Sequence, residues 1–298
     1  MDRNLSDNVK NIFPKRIVKY YSYGDTIEIS NVIRNQSILV LPNKKYAVIS
    51  TGEIKEMVNK GDTRDINISS LKRTMRTLRR LIAHNFKGGI KELWVTLTYK
   101  ETITDPNTIY NDFKIFIKKI RHYYGHVEYI SVIEPHAKYG KFHLHVLLKS
   151  PKKLYIENSH LAELWGKGFT KTKRLSEKDS IANYVVSYLT NLDTSELNET
   201  DNSKSGKKSI IKGNRLYLYP KGLRIYRKSK GIINPDEGID IKENLIEEYN
   251  LYPTPEYTAN YSIKDNNEEE ILIIKEFFKR RRKKWGTIIN KTWFLRKL

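Results

Sequence analysis

The sequence has no cysteine, and that one absence excludes disulfides, thiol nucleophiles and every cysteine-ligated zinc site. Long apolar runs are missing as well: none approaches the roughly 20 residues a membrane span needs, and the opening MDRNLSDNVK holds no stretch resembling a signal peptide. A cytoplasmic protein without a membrane partner is the expectation. There is no internal repeat and no Walker-type phosphate loop, so no helicase motor is expected. Acidic charge is scarce relative to basic, because 34 Asp and Glu stand against 55 Lys and Arg and leave +21 over 298 residues. Such an excess usually serves a polyanion, since solubility alone is better served by acidic residues. Nucleic acid is the leading partner.

Residues 1–65 read as an N-terminal extension of short strands, with apolar runs at Ser37–Leu41 and Tyr46–Ser50. Leu71, Met75, Leu78 and Ile82 then fall at helical spacing behind Ser69 or Ser70 as N-cap, with basic residues on the other face. KELWVTLTYKE predicts a strand over Glu92–Tyr99. Asp105-Pro106 opens a helix with apolar stripe Phe113, Phe116, Ile117, Ile120 and Tyr124, ended by Gly125. VEYISVIE and KFHLHVLLK, separated by PHAKYG, predict a hairpin. A short helix to Trp165-Gly166 and a strand in GFTKTKRL follow, and a helix from near Ser176 runs through IANYVVSYLT. After a polar stretch, RLYLYPKGLRIYRKSKG reads as a strand or hairpin packing back. The expected organisation is a main domain over 66–232 and a C-terminal extension over 233–298, acidic first and then a basic, aromatic tail.

Side chains of a strand alternate faces, so His143 and His145 point one way while Phe142, Leu144, Val146 and Leu148 point the other. Two imidazoles at this spacing can grip one metal ion, with Glu134 on the adjoining strand as an oxygen ligand and His136 as a fourth candidate. Such a set leaves coordination positions for a phosphate oxygen. A histidine pair also lines polar faces without a metal; the nearby carboxylate and the basic charge favour the metal. Tyr184 and Tyr188, four residues apart, share one face of the predicted helix. A phenol oxygen can attack a phosphodiester once it loses its proton, from an ordinary pKa near ~10. The alternative is a packing stripe with Ile181 and Leu189.

In order and spacing these segments resemble the HUH endonuclease superfamily, and within it the rolling-circle replication initiators of small plasmids and phages. WVTLTY, Trp94 to Tyr99, is similar to the first motif; His143-Leu144-His145 to the metal-binding second; and YVVSY, Tyr184 to Tyr188, to the third, which carries the nucleophile. The resemblance implies an α+β fold with a central antiparallel sheet and flanking helices, like an RNA-recognition or ferredoxin-like domain. It implies Mg²⁺ or Mn²⁺ on Glu134, His143 and His145, with Tyr184 as the common nucleophile and Tyr188 as the second tyrosine of the double class. The implied activity is site- and strand-specific nicking of a single-stranded or hairpin origin. This gives a 5′-phosphotyrosine and a free 3′-hydroxyl primer, later rejoining, and reliance on a host helicase and DNA polymerase. Many relatives carry a lysine where this chain has Ser187, so Lys141 or Lys178 is expected to serve the phosphate instead. The run Lys279–Lys284, with Arg280, Arg281 and Arg282, is expected either to add sequence-independent DNA affinity or to be a solvated or partner-docking segment. A relaxase or transposase of the same superfamily, or a non-catalytic nucleic-acid-binding module, are the other readings.

Overall fold

The computed structural model describes residues 11–33, 38–43, 45–57, 68–103, 105–135, 142–175, 223–264 and 270–281. It is an α+β protein with two five-stranded sheets and one small three-stranded sheet. The expected helix near Ser176, with Tyr184, Tyr188 and Lys178, lies outside the described residues, as do His136, Lys141 and Arg282.

The central sheet is built from β6 (Glu92–Thr98), β7 (Glu128–Pro135), β8 (Phe142–Lys149), β9 (Thr170–Lys173) and β10 (Tyr226–Lys228), in the spatial order β10-β7-β8-β6-β9. Its pairs are all antiparallel. The hairpin of β7 and β8 forms as the sequence predicts, and β10 shows that the segment after the polar stretch packs back onto the β7 edge. On one face Leu93, Val95, Leu97, Leu144, Val146 and Leu148 are buried. Helices α2 (Pro106–Tyr124) and α3 (Asn158–Trp165) cover that face, with Phe113 against Tyr129 at 5.0 Å and Trp165 against Tyr99 at 5.1 Å.

Helix α2 starts where its sequence says it should. The Asp105 carboxylate accepts from the backbone N–H groups of Asn107 at 3.0 Å and Thr108 at 3.1 Å, Pro106 needs no acceptor there, and Gly125 ends the helix at φ 79°. Its stripe Ile109, Phe113, Phe116, Ile117 and Ile120 is buried, each side chain contributing about 1.5–3 kcal/mol. Helix α1 (Ile68–Asn85) begins earlier than its expected cap, so Ser69 and Ser70 lie within its first turn. Met75, Leu78 and Ile82 are buried in the core they share with the central sheet.

The second sheet joins the two ends of the described chain. β1 (Ile17–Tyr23) and β2 (Thr26–Ser30) combine with β11 (Asp236–Ile241), β12 (Tyr257–Lys264) and β13 (Glu270–Lys279) in the order β11-β1-β2-β13-β12. One face packs Val18, Ile27, Ile29, Ile274 and Phe278 with Leu245 of helix α4 (Lys242–Glu248). β3 (Ile38–Leu41) and β4 (Lys45–Val48), from the two apolar runs noted above, form the small sheet with β5 (Ile54–Glu56). The expected basic tail needs correction here: EFFK is the end of β13, which pairs on both sides, and Phe278 is fully buried. Lys279 ion-pairs with Glu256 at 2.6 Å, Arg280 donates to Ser22 Oγ at 2.8 Å, and Arg281 lies 5.7 Å over the Tyr252 ring.

Buried charges tie this sheet together. Arg80 of α1 donates to both oxygens of Glu28, at 2.9 and 2.7 Å, and Lys275 lies 3.8 Å from the same carboxylate. Burial alone would raise Glu28, but the Arg80 hydrogen bonds and the charges of Arg80 and Lys275 outweigh it and hold the carboxyl below its ordinary value. Lys242 meets Glu276 at 2.8 Å and the Ile12 carbonyl at 2.7 Å, while the Ile12 N–H donates to Glu276 at 2.9 Å. Gly24, at φ 55° in the β1–β2 turn, lies against α1, where a Cβ would meet the Ala83 carbonyl at 2.7 Å. Only glycine allows that approach.

Candidate metal centre

The hairpin register sets Glu134 opposite His143 and Val132 opposite His145, while β6 on the other side sets Thr98 opposite His143 and Thr96 opposite His145. All six therefore share the sheet face away from α2 and α3. β8 is the middle strand, so the histidines sit at the centre of the sheet. Glu134 is 8% exposed and His145 3%, while His143 is half-buried, which leaves the site open on the His143 side.

His145 is held from both ring nitrogens. Glu134 Oε2 is 2.8 Å from Nε2, and Thr96 Oγ1 is 3.3 Å from Nδ1. An ionised carboxylate only accepts, so in this arrangement Nε2 carries the proton and Nδ1 accepts from the threonine hydroxyl. The hydroxyl can also accept, and it would then hold the opposite tautomer with a bare Nε2. The Trp94 ring lies edge-on to His145 at 5.9 Å and walls the inner side.

One ligand atom from each of Glu134, His143 and His145 lies within 4.8 Å of the others. Two imidazoles and a carboxylate suit a divalent ion. Among the described residues this is the one such cluster. The structure thus brings together the three residues that the sequence proposed as ligands.

Sequence reasoning missed Thr96 and Trp94 as parts of the site. The signal was there in WVTLTY, whose alternation places Trp94, Thr96 and Thr98 on one face, but the face could be assigned only once the register with β8 was known. It also missed Lys171 and Lys173, exposed on β9 opposite Thr96 and Trp94 and so on the histidine face. At the far end of that face Lys149 Nζ donates to the Asn85 carbonyl at 2.5 Å, and Glu92 accepts from the Gly88 N–H at 2.6 Å. These bonds anchor the end of α1.

Residues 92–193 match the family model of the ORF2-type replication-associated proteins. The match covers about a third of the chain and agrees with the rolling-circle initiator resemblance carried by the motifs. It begins at the first residue of β6 and takes in Glu134, His143, His145, Tyr184 and Tyr188. Proteins of that family are associated with replication. No curated protein and no solved structure matches the chain. No helix among the described residues is long and apolar enough to cross a membrane.

Proposed function

We propose that this protein starts rolling-circle replication by nicking one DNA strand at the origin, using a divalent metal and a tyrosine. The observation that carries the reading is the convergence of Glu134, His143 and His145 at the centre of the sheet, inside the segment that matches the replication-associated family. Glu134, His143 and His145 would hold Mg²⁺ or Mn²⁺, which supplies charge stabilisation at the scissile phosphate when bound.

The remaining work falls to this chain's own groups. The Tyr184 oxygen, its proton removed, attacks phosphorus; the bond to the 3′ oxygen breaks, and that oxygen takes up a proton to leave as the 3′-hydroxyl primer. The 5′ phosphate stays on the tyrosine, and Tyr188 performs the second transfer that releases the finished circle. Thr96 fixes the His145 ring. Lys171 and Lys173, with Lys141 and Lys178, steer the strand across the histidine face, and Arg280, Arg281 and Arg282 add sequence-independent affinity. Strand separation and extension fall to a host helicase and DNA polymerase.

The test is nicking of supercoiled plasmid carrying the cognate origin, with and without Mn²⁺. His143→Ala and His145→Ala should each abolish nicking while keeping most of the DNA affinity, because affinity comes mainly from phosphate contacts. Wild-type cleavage by either variant would remove the metal assignment. Tyr184→Phe should eliminate the covalent adduct, and an adduct mapped to Tyr188 alone would reverse the order of the two tyrosines.

A further inference from the structure

The second sheet has a face that its own packing does not explain. Its register places Tyr21, Glu28, Lys275, Phe277 and Tyr257 on one side, opposite to the face that buries Ile27, Ile29 and Phe278. Helix α1 lies over the β1–β2 half of this side, held by Arg80 on Glu28 and by Arg80 stacked 3.4 Å over Tyr21. On the β12–β13 half Tyr257 is 47% exposed, and its ring lies 5.7 Å from Phe277.

Charge collects along the boundary between these halves. Arg73, Arg76 and Arg80 of α1 follow one another at intervals of three and four residues, so they form a single stripe about 10 Å long, with Arg79 beside it. Arg76, Arg79 and Arg80 all act on Lys275, whose ammonium is pushed below its ordinary value first by burial and then by these like charges, against the opposing pull of Glu28. Arg80 and Lys275 thus pair with one buried carboxylate, Arg79 adds its charge to it, and Arg76 acts on Lys275. The ion pairs of Arg80 and Lys275 converge on that carboxylate, and repulsion at such density is relieved by an external anion.

We infer that this edge, Arg73, Arg76 and Arg79 beside Tyr257 and Phe277, binds single-stranded DNA apart from the metal centre, with phosphates on the arginine stripe and unpaired bases on the aromatic rings. The aromatic component selects a single strand, because a duplex hides its base faces in the stack while each unpaired base offers one. The surface deepens the nickase reading, on which it rests for its biological use: the strand displaced from the nick needs a place to run. Binding there requires no metal and no origin sequence.

The experiment measures anisotropy of fluorescein-labelled oligo(dT) and of a duplex of equal length, across a salt series without divalent metal, on the full chain. Arg76→Ala combined with Arg79→Ala should reduce the log–log salt slope for oligo(dT) by about 1.4, at roughly 0.7 for each phosphate no longer neutralised. Arg73→Ala, remote from the buried pairs, should reduce it by about half as much. Tyr257→Ala should weaken oligo(dT) binding about tenfold and leave the duplex unchanged. Unchanged oligo(dT) binding in all three overturns the surface, and so do equal losses on duplex and single strand with a neutral Tyr257→Ala. Parallel nicking assays separate the two claims: wild-type nicking with insensitive oligo(dT) binding sinks this surface alone. Sensitive oligo(dT) binding without any metal-dependent nicking sinks the nickase reading alone.

Discussion

The two large sheets solve the same problem in different ways. The central sheet draws its strands from residues 92–228 and packs one apolar face on α2 and α3, while the other face buries Trp94, Ile130, Val132 and Leu147 in the core shared with α1 and carries the candidate metal centre. The second sheet pairs strands from 17–30 with strands from 236–279 and carries buried charges through its middle, Glu28 with Arg80 and Lys275, and Glu276 with Lys242. Hydrophobic burial is indifferent to partner; a buried charge is not, because leaving it unpaired costs several kcal/mol. In the central sheet apolar burial makes most of the fold. In the second, polarity specifies which distant strand belongs where.

The sharpest way to break this contrast is Phe278→Ala. It removes a fully buried ring from the second sheet and should cost about 3–5 kcal/mol. Hydrogen exchange should speed up in β1, β2, β12 and β13 while β6, β7 and β8 keep their protection; equal loss in both would mean that the sheets unfold as one body. Next comes Glu28→Gln, which strands Arg80 and Lys275 and should cost about 3 kcal/mol. Since the folded carboxyl titrates below its ordinary value of 4.5, its stabilisation is present above that value and is lost as pH falls through the lower, folded one. Melting temperature should therefore drop on acidification, and the variant should flatten that limb; an unaltered acid limb would place the titration elsewhere.

Smaller effects sharpen the central sheet's side of the comparison. Thr96→Val keeps the shape of β6 but deletes the partner of His145 Nδ1, and should raise the Mn²⁺ concentration needed for nicking by about tenfold or more. A metal titration that superimposes on wild type would reduce Thr96 to a packing residue. Asp105→Ala should cost about 1 kcal/mol in thermal unfolding, through the two backbone N–H groups that it leaves uncapped.

The central sheet was legible because its signals are local. A cap, a proline and a stripe define α2 within twenty residues, and the alternation of KFHLHVLLK settles which residues share a face. Three ligands on neighbouring strands of one hairpin could be read the same way. Thr96 could not, since its place depends on β6 pairing with β8, a register that no single segment contains. The second sheet was hidden for a stronger form of that reason. EFFK reads as the start of a basic tail until β2 is known to lie beside it; Glu28 and Arg80 look like surface charges until the pairing buries both. Sequence alone separates residues 1–65 and 233–298 as two extensions, whereas the β1–β2 pair lies between β11 and β13 within one sheet.

The inner position of β13, between β2 and β12, also sets a timetable. Ser30 leaves the ribosome about 240 residues before Glu270, and at about 5–20 residues per second the β1–β2 hairpin waits on the order of ten to fifty seconds for its neighbour. A lone two-stranded hairpin is marginal in water, so it spends that interval with its open edge exposed. Every strand of the central sheet has been translated by then. A chain that stopped short of Glu270 would still hold Glu134, His143 and His145 but would lack the strand that sits between β2 and β12.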